Sequence, residues 1–123
     1  MKLTNVQIYN YSMALLSEFD TNCNIKLPVK INFFLQKNIQ VMKELAQEIE
    51  QARVKIASAY GVLSEDGESY SIPADKTAEV QKELNDLLLL EQDVEIRTFK
   101  LDDFSDIDLT FKQMNALMFM IEE

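Results

Sequence analysis

The sequence predicts an α+β fold that is predominantly α-helical, and three observations carry that expectation. Ile31, Leu35, Asn38, Met42, Leu45, Ile49, Ala52, Ile56 and Ala59 are spaced alternately by four and three, the heptad that lays one stripe along a helix. Two glycines and two prolines in 123 residues leave few breaks in regular structure. A hydrophobic fraction of 47% lets one domain, residues 1–123, bury a core without disulfide or metal staples.

The elements follow in order. Thr4-Asn5-Val6-Gln7 has the Thr-x-x-Gln form of a capping box, in which hydroxyl and amide satisfy orphan backbone groups, so a helix starts at Asn5 and runs to about Phe19. Its apolar face is Ile8, Tyr11, Leu15 and Phe19. The polar Asp20-Thr21-Asn22-Cys23-Asn24 stretch is turn-prone. Pro28 introduces the heptad helix, because its missing N–H is unsatisfied in a first turn anyway. Gly61, directly after Tyr60, suits a left-handed C-cap. Such a helix is roughly 45 Å long at ~1.5 Å per residue, against about 35 Å across a compact domain of this size. The chain is therefore expected to be elongated, a homodimer or higher homo-oligomer, or both.

Asp66-Gly67, between the short β-prone flanks of 62–72, predicts a tight hairpin or an exposed loop. A third helix is expected from Ala74 to Gln92, with Val80, Leu84, Leu87 and Leu88 facing the heptad helix in an antiparallel helical hairpin. Val94 to Leu101 is β-branched, aromatic and partly alternating, and reads as a strand. Its partner is Met1-Lys2-Leu3, the 70–72 segment or the same strand of a second subunit. The acidic 102–108 stretch is a solvated loop or turn. Thr110-Phe111-Lys112-Gln113 repeats the capping box and opens a C-terminal helix, with Phe111, Met114, Leu117, Met118 and Ile121 expected inside.

Composition excludes more chemistry than it suggests. The protein has no histidine, so His-dependent triads and His-containing zinc sites are absent. The single cysteine, Cys23, cannot close an intramolecular disulfide, and a half-buried thiol in a reducing cytoplasm fits it better than a nucleophile. No signal segment opens the chain, and the longest apolar run, Leu87 to Leu90, is far short of the roughly 20 residues of a membrane span. A soluble, cytoplasmic protein is expected. No GxxxxGK[ST], GxGxxG, GxSxG or CxxC occurs, so the expectation is a non-enzymatic protein without a cofactor.

Charge is polarised. Residues 1–60 carry seven Lys/Arg against five Asp/Glu, a net of +2, and residues 61–123 carry five against sixteen, a net of −11. A groove for duplex nucleic acid, which needs clustered Lys/Arg, is not expected. The aspartates Asp102, Asp103, Asp106 and Asp108 lack the glycine and terminal glutamate of a calcium loop and read as solvated charge or as a surface for a basic protein partner. In the other half, a pocket for a small anion needs only a few donors and a stacking surface. Arg97, Arg53, Lys30 and Lys37 supply charge and Tyr60 a ring, with solvated lysines and core aromatics as the simpler reading. Arg97, one of two arginines, pairs with Glu95 or with a phosphate. Asn38 on the heptad stripe is either a polar device fixing register or a ligand contact. Six methionines also make an adaptable protein-binding surface available at the C-terminal helix.

Leu27-Pro28-Val29-Lys30-Ile31-Asn32-Phe33-Phe34-Leu35-Gln36-Lys37-Asn38, Glu50-Gln51-Ala52-Arg53, Tyr60-Gly61, Gln81-Lys82-Glu83-Leu84-Asn85-Asp86-Leu87 and Met114-Asn115-Ala116-Leu117-Met118 together resemble a family of short phage and prophage proteins of Gram-positive bacteria. The likeness covers nearly the whole chain, and the family has no established catalytic residues to carry over. It implies a setting, the bacterial cytoplasm, and a role as an accessory or counter-defence factor. Three functions are then open: an inhibitor that binds a host defence protein, a sponge that sequesters a nucleotide-derived immune signal between subunits, or an accessory virion or assembly protein.

Overall fold

The computed structural model describes residues 1–19 and 25–122. The expected turn at 20–24, with Cys23, lies outside the described residues. Four helices and a few short strands make a predominantly helical α+β chain. In order these are β1 (Lys2–Thr4), α1 (Asn5–Glu18), α2 (Val29–Tyr60), β2 (Val62–Leu63), β3 (Tyr70–Ser71), α3 (Thr77–Leu89), β4 (Glu91–Asp93), β5 (Phe99–Lys100), α4 (Phe111–Leu117) and β6 (Ile121–Glu122). Among the described residues no helix is long and apolar enough to cross a membrane.

Local chemistry starts the helices where the sequence places them. The Gln7 N–H donates to Thr4 Oγ1 at 3.2 Å and the Thr4 N–H to Gln7 Oε1 at 2.9 Å, closing the first capping box. Thr110 and Gln113 close the second at 3.1 and 2.9 Å. The heptad helix spans Val29 to Tyr60 without interruption. Gly61 caps it, but in extended backbone (φ −96°, ψ 165°) rather than the expected left-handed one. Space demands the glycine: a Cβ there would lie 2.7 Å from the Ala57 carbonyl oxygen and 3.0 Å from Tyr70 Cβ. The left-handed residue is Gly67 (φ 75°), in the turn that joins β2 to β3 as the expected hairpin.

Two of the three strand pairs tie the first and last described segments to the rest of the chain. β1 pairs antiparallel with β4, Leu3 opposite Gln92, so the N-terminal segment does find a strand partner, one step earlier than the expected 94–101 strand. The third helix is correspondingly shorter than expected. A 3-10 turn over Ala74–Lys76 follows Pro73, helix begins at Thr77, and β4 takes Glu91–Asp93. Asn5 explains that stop: its side-chain amide donates to the Leu87 carbonyl at 2.8 Å, its N–H donates to the Leu90 carbonyl at 2.9 Å, and Gln92 Nε2 donates to its Oδ1 at 2.6 Å. These bonds satisfy carbonyls at the end of α3 and turn the chain into β4.

The expected strand at 94–101 breaks into an irregular 94–98 segment and the two residues of β5, which pair parallel with β6, Phe99 opposite Ile121. A 3-10 turn over Leu101–Phe104 follows β5.

The core unites Leu3, Ile8, Leu15, Ile31, Leu35, Met42, Ile49, Val94, Phe99, Phe104, Ala116, Leu117 and Met120. Tyr11 stacks on Phe119 with centroids 4.3 Å apart, fastening α1 to the chain after α4. Two residues expected inside are outside: Phe111 is 81% exposed and Met118 58%. The α-helix ends at Leu117, which is buried as expected, and the chain tightens into a 3-10 turn over Met118–Met120 that buries Met120 in place of Met118.

Candidate functional site

Two surfaces meet along the 97–108 segment. One is a cleft of about 330 Å³ lined by Lys30, Ile31 and Phe34 of α2, Arg97 to Lys100, Asp103 and Glu122. The other is the row of exposed aspartates after β5.

The cleft is organised from beneath by Asn38. This side chain is buried on the heptad stripe, where its Nδ2 donates to the Arg97 carbonyl at 2.7 Å and its Oδ1 accepts the Arg97 N–H at 2.9 Å. Asn38 Nδ2 also reaches Met120 Sδ at 3.5 Å. A backbone amide and carbonyl left unpaired in the core would cost about 1–3 kcal/mol each. The Asn38 amide thus does within one chain what strand pairing would otherwise do for residue 97, and it takes residue 97 out of a regular strand. Arg97 itself is exposed, and its guanidinium lies over the Phe34 ring, 3.9 Å from the centroid. It does not pair with Glu95: the ion pairs among the described residues are Arg53–Glu50 and Lys76–Glu79. Lys30 and Lys100 supply two further cations to the cleft. Its carboxylates each accept one hydrogen bond from the chain: Glu122 from the Thr98 hydroxyl, and Asp103 Oδ2 from the Lys100 N–H at 2.9 Å.

The other residues of the expected anion pocket lie elsewhere. Lys37 sits over Phe33, 4.9 Å from its centroid, one helical turn along α2. Arg53 is tied to Glu50, Nε to Oε2 at 3.0 Å, and that guanidinium, chiefly through its hydrogen bond, lowers the Glu50 pKa while its own is raised. The pair is partly exposed and stabilises little, about 0–1 kcal/mol. Tyr60 faces α3, where the Glu83 carboxylate pushes its phenol above the ordinary value. Within one chain, then, Arg97 and Lys30 share a cleft over Asn38, and Arg53 and Tyr60 belong to other surroundings. Lys100, Thr98, Asp103 and Glu122 complete the cleft; Glu122 arrives through β6, a two-residue strand too short to signal itself by alternation.

The acidic row is firmly mounted. Asp102 and Asp103 lie in the 3-10 turn, with Asp106 and Asp108 beyond it, all exposed. Between them Phe104 is 4% exposed and meets Phe99 edge to face at 5.6 Å. The Ser105 and Ile107 N–H groups donate to the Asp102 and Phe104 carbonyls. None of the four aspartates has an ion-pair partner among the described residues, and no described group of His, Cys, Asp and Glu is arranged to hold a metal ion. Four like charges on one short segment repel, and the burial of Phe104 offsets that cost.

No family model, curated protein or solved structure matches the chain.

Proposed function

We propose that this chain is a non-enzymatic, phage-encoded binding protein that acts in the bacterial cytoplasm as a counter-defence factor, docking its acidic row on a basic surface of a host defence protein. The observation that carries the binding mode is the mounting of Asp102, Asp103, Asp106 and Asp108, exposed and without ion-pair partners among the described residues, around the buried anchor Phe104. Charge displayed from a rigid anchor loses little conformational freedom on docking, and complementary charge speeds encounter and suppresses wrong partners. The resemblance to phage and prophage proteins supplies the setting. The working form in this proposal is a homodimer or higher oligomer, with α2 and α3 as an antiparallel hairpin and the half-buried end of the heptad stripe at its seam.

The test is phage plating on a defence-active host that expresses the chain. Asp102→Lys, Asp106→Lys and Asp108→Lys combined are expected to abolish protection of the phage, and the affinity of the wild-type chain for its captured target is expected to fall as salt rises. Full protection by the charge-reversed chain at equal expression overturns the proposal.

A further inference from the structure

Beyond protein docking, and sharing only Asp103 with that surface, we propose that the cleft between the start of α2 and residues 97–100 binds a small phosphate monoester that carries hydroxyl groups. Three cations, Lys30, Arg97 and Lys100, line one cleft and none has an ion-pair partner among the described residues. Asp103 and Glu122 line the same cleft and offset part of this charge, which leaves the lining net positive toward an anion. The most placed of the three is Arg97. Its backbone is clamped at both ends by the buried Asn38 amide, and its guanidinium is spread on Phe34. A guanidinium stacked on a ring keeps its in-plane N–H fork for a second partner, and that fork matches phosphate oxygens.

The cleft is not uniformly basic, which narrows the ligand class. Asp103 and Glu122 line it together with Lys100. Arg97 lies over Phe34 of α2, whereas the Lys100 N–H is bonded to Asp103, so the cleft is cationic on its α2 side and mixed at Lys100. Each carboxylate accepts one protein hydrogen bond and keeps acceptor sites for more. A bare phosphate meets their repulsion, whereas a sugar phosphate places its dianion at Arg97 and Lys30 and donates hydroxyls to Asp103 and Glu122. A volume of about 330 Å³ is at the low end of ligand clefts, which run roughly 300–1,000 Å³, and suits such a small molecule.

The experiment is a ¹⁵N NMR titration of the full-length chain, with ribose 5-phosphate, inorganic phosphate and ribose as separate probes. Saturable shifts at residues 30, 34 and 97–100 with ribose 5-phosphate are expected, with at least tenfold weaker binding of phosphate and none of ribose. Arg97→Ala, an exposed substitution that leaves the Asn38 clamp on the backbone, is expected to weaken ribose 5-phosphate at least tenfold, and Arg97→Lys less. Asp103→Asn with Glu122→Gln is expected to tighten inorganic phosphate while narrowing the advantage of the sugar phosphate. Absence of saturable shifts with ribose 5-phosphate, or equal binding by wild type and Arg97→Ala, overturns the proposal. The aspartate reversals at 102, 106 and 108 leave Lys30, Arg97 and the Asn38 clamp in place, so failure of this cleft and failure of protein docking are read separately.

Discussion

The two halves of α2 live in different surroundings. From Ile31 to Ile49 its stripe is buried almost continuously against α1, the 94–104 segment and the C-terminal residues, with Leu35 at 2% exposure and Met42 at 0%. Beyond Ile49 the same stripe is only half-covered at Ala52 and Ile56 and exposed at Ala59. No residue from 50 to 93 belongs to the main core, and the one buried side chain described there is Val80. Val54, Val62, Leu63, Leu89 and Leu90 are all at least 45% exposed. One heptad therefore does two jobs. A hydrophobic stripe reports that a face wants covering, and the depth of cover depends on what the rest of the chain brings to it.

Substitutions test this contrast, the largest effect first. Met42→Ala removes a fully buried side chain from the main core and is expected to cost about 2–5 kcal/mol in urea unfolding, against about 1–2 kcal/mol for Val80→Ala in the distal half. Equal losses would erase the distinction between the halves. Asn38→Ala strands the Arg97 N–H and C=O in the core, so about 1–3 kcal/mol is expected, with chemical-shift changes centred on 94–99. Gly61→Ala drives a methyl against the Ala57 carbonyl and the β3 side of the hairpin, at an expected cost of about 1–3 kcal/mol. Hydrogen exchange should then quicken across 52–72 while α1 and the first half of α2 keep their protection.

A pH effect belongs to the distal half as well. Tyr60 has its folded pKa raised, first by the Glu83 carboxylate and then by burial and the Glu83 hydrogen bond. A raised folded value means that the contribution to stability is complete below the unfolded value of about 10 and disappears as pH rises through the folded one. The urea midpoint should therefore decline in that alkaline window, and Tyr60→Phe should remove part of the decline. The smallest effect is expected at Phe111, whose ring is 81% exposed: Phe111→Ala should shift stability by less than about 0.5 kcal/mol. A large loss there would mean that another surface covers the ring in solution.

What was legible in advance depended on the range of the interaction. Thr4 and Gln7, or Thr110 and Gln113, are three residues apart and meet as soon as a helix turn forms, so both helix starts are readable from the residues. The same holds for Pro28 and for the Asp66-Gly67 turn. Asn38 was legible as a polar residue on an apolar stripe, but its partner is 59 residues away and is backbone, which carries no sequence signature. The expected strand at 94–101 failed for that reason, since alternation reports side-chain character and not whether a side-chain amide takes the place of a neighbouring strand. The sequence grouped Arg97, Arg53, Lys30, Lys37 and Tyr60 as one set of residues. Arg97 and Lys30 do share a cleft, but Lys37, Arg53 and Tyr60 were grouped with them by residue type alone and lie elsewhere.

Helix propensity, capping and turn chemistry are short-range, act wherever the residues occur, and account for α1, α2, the β2–β3 hairpin and α4. Long-range packing settled everything that needed two distant segments to meet: the pairing of β1 with β4 and of β5 with β6, the Asn5 lock on the end of α3, the burial of Met120 while Phe111 and Met118 stay outside, and the choice of Lys30, Arg97 and Lys100 as the cations of one cleft. Each of these is a choice among partners of similar local merit. Only the joint burial of all the apolar faces, which ranks whole arrangements rather than single segments, selects between them.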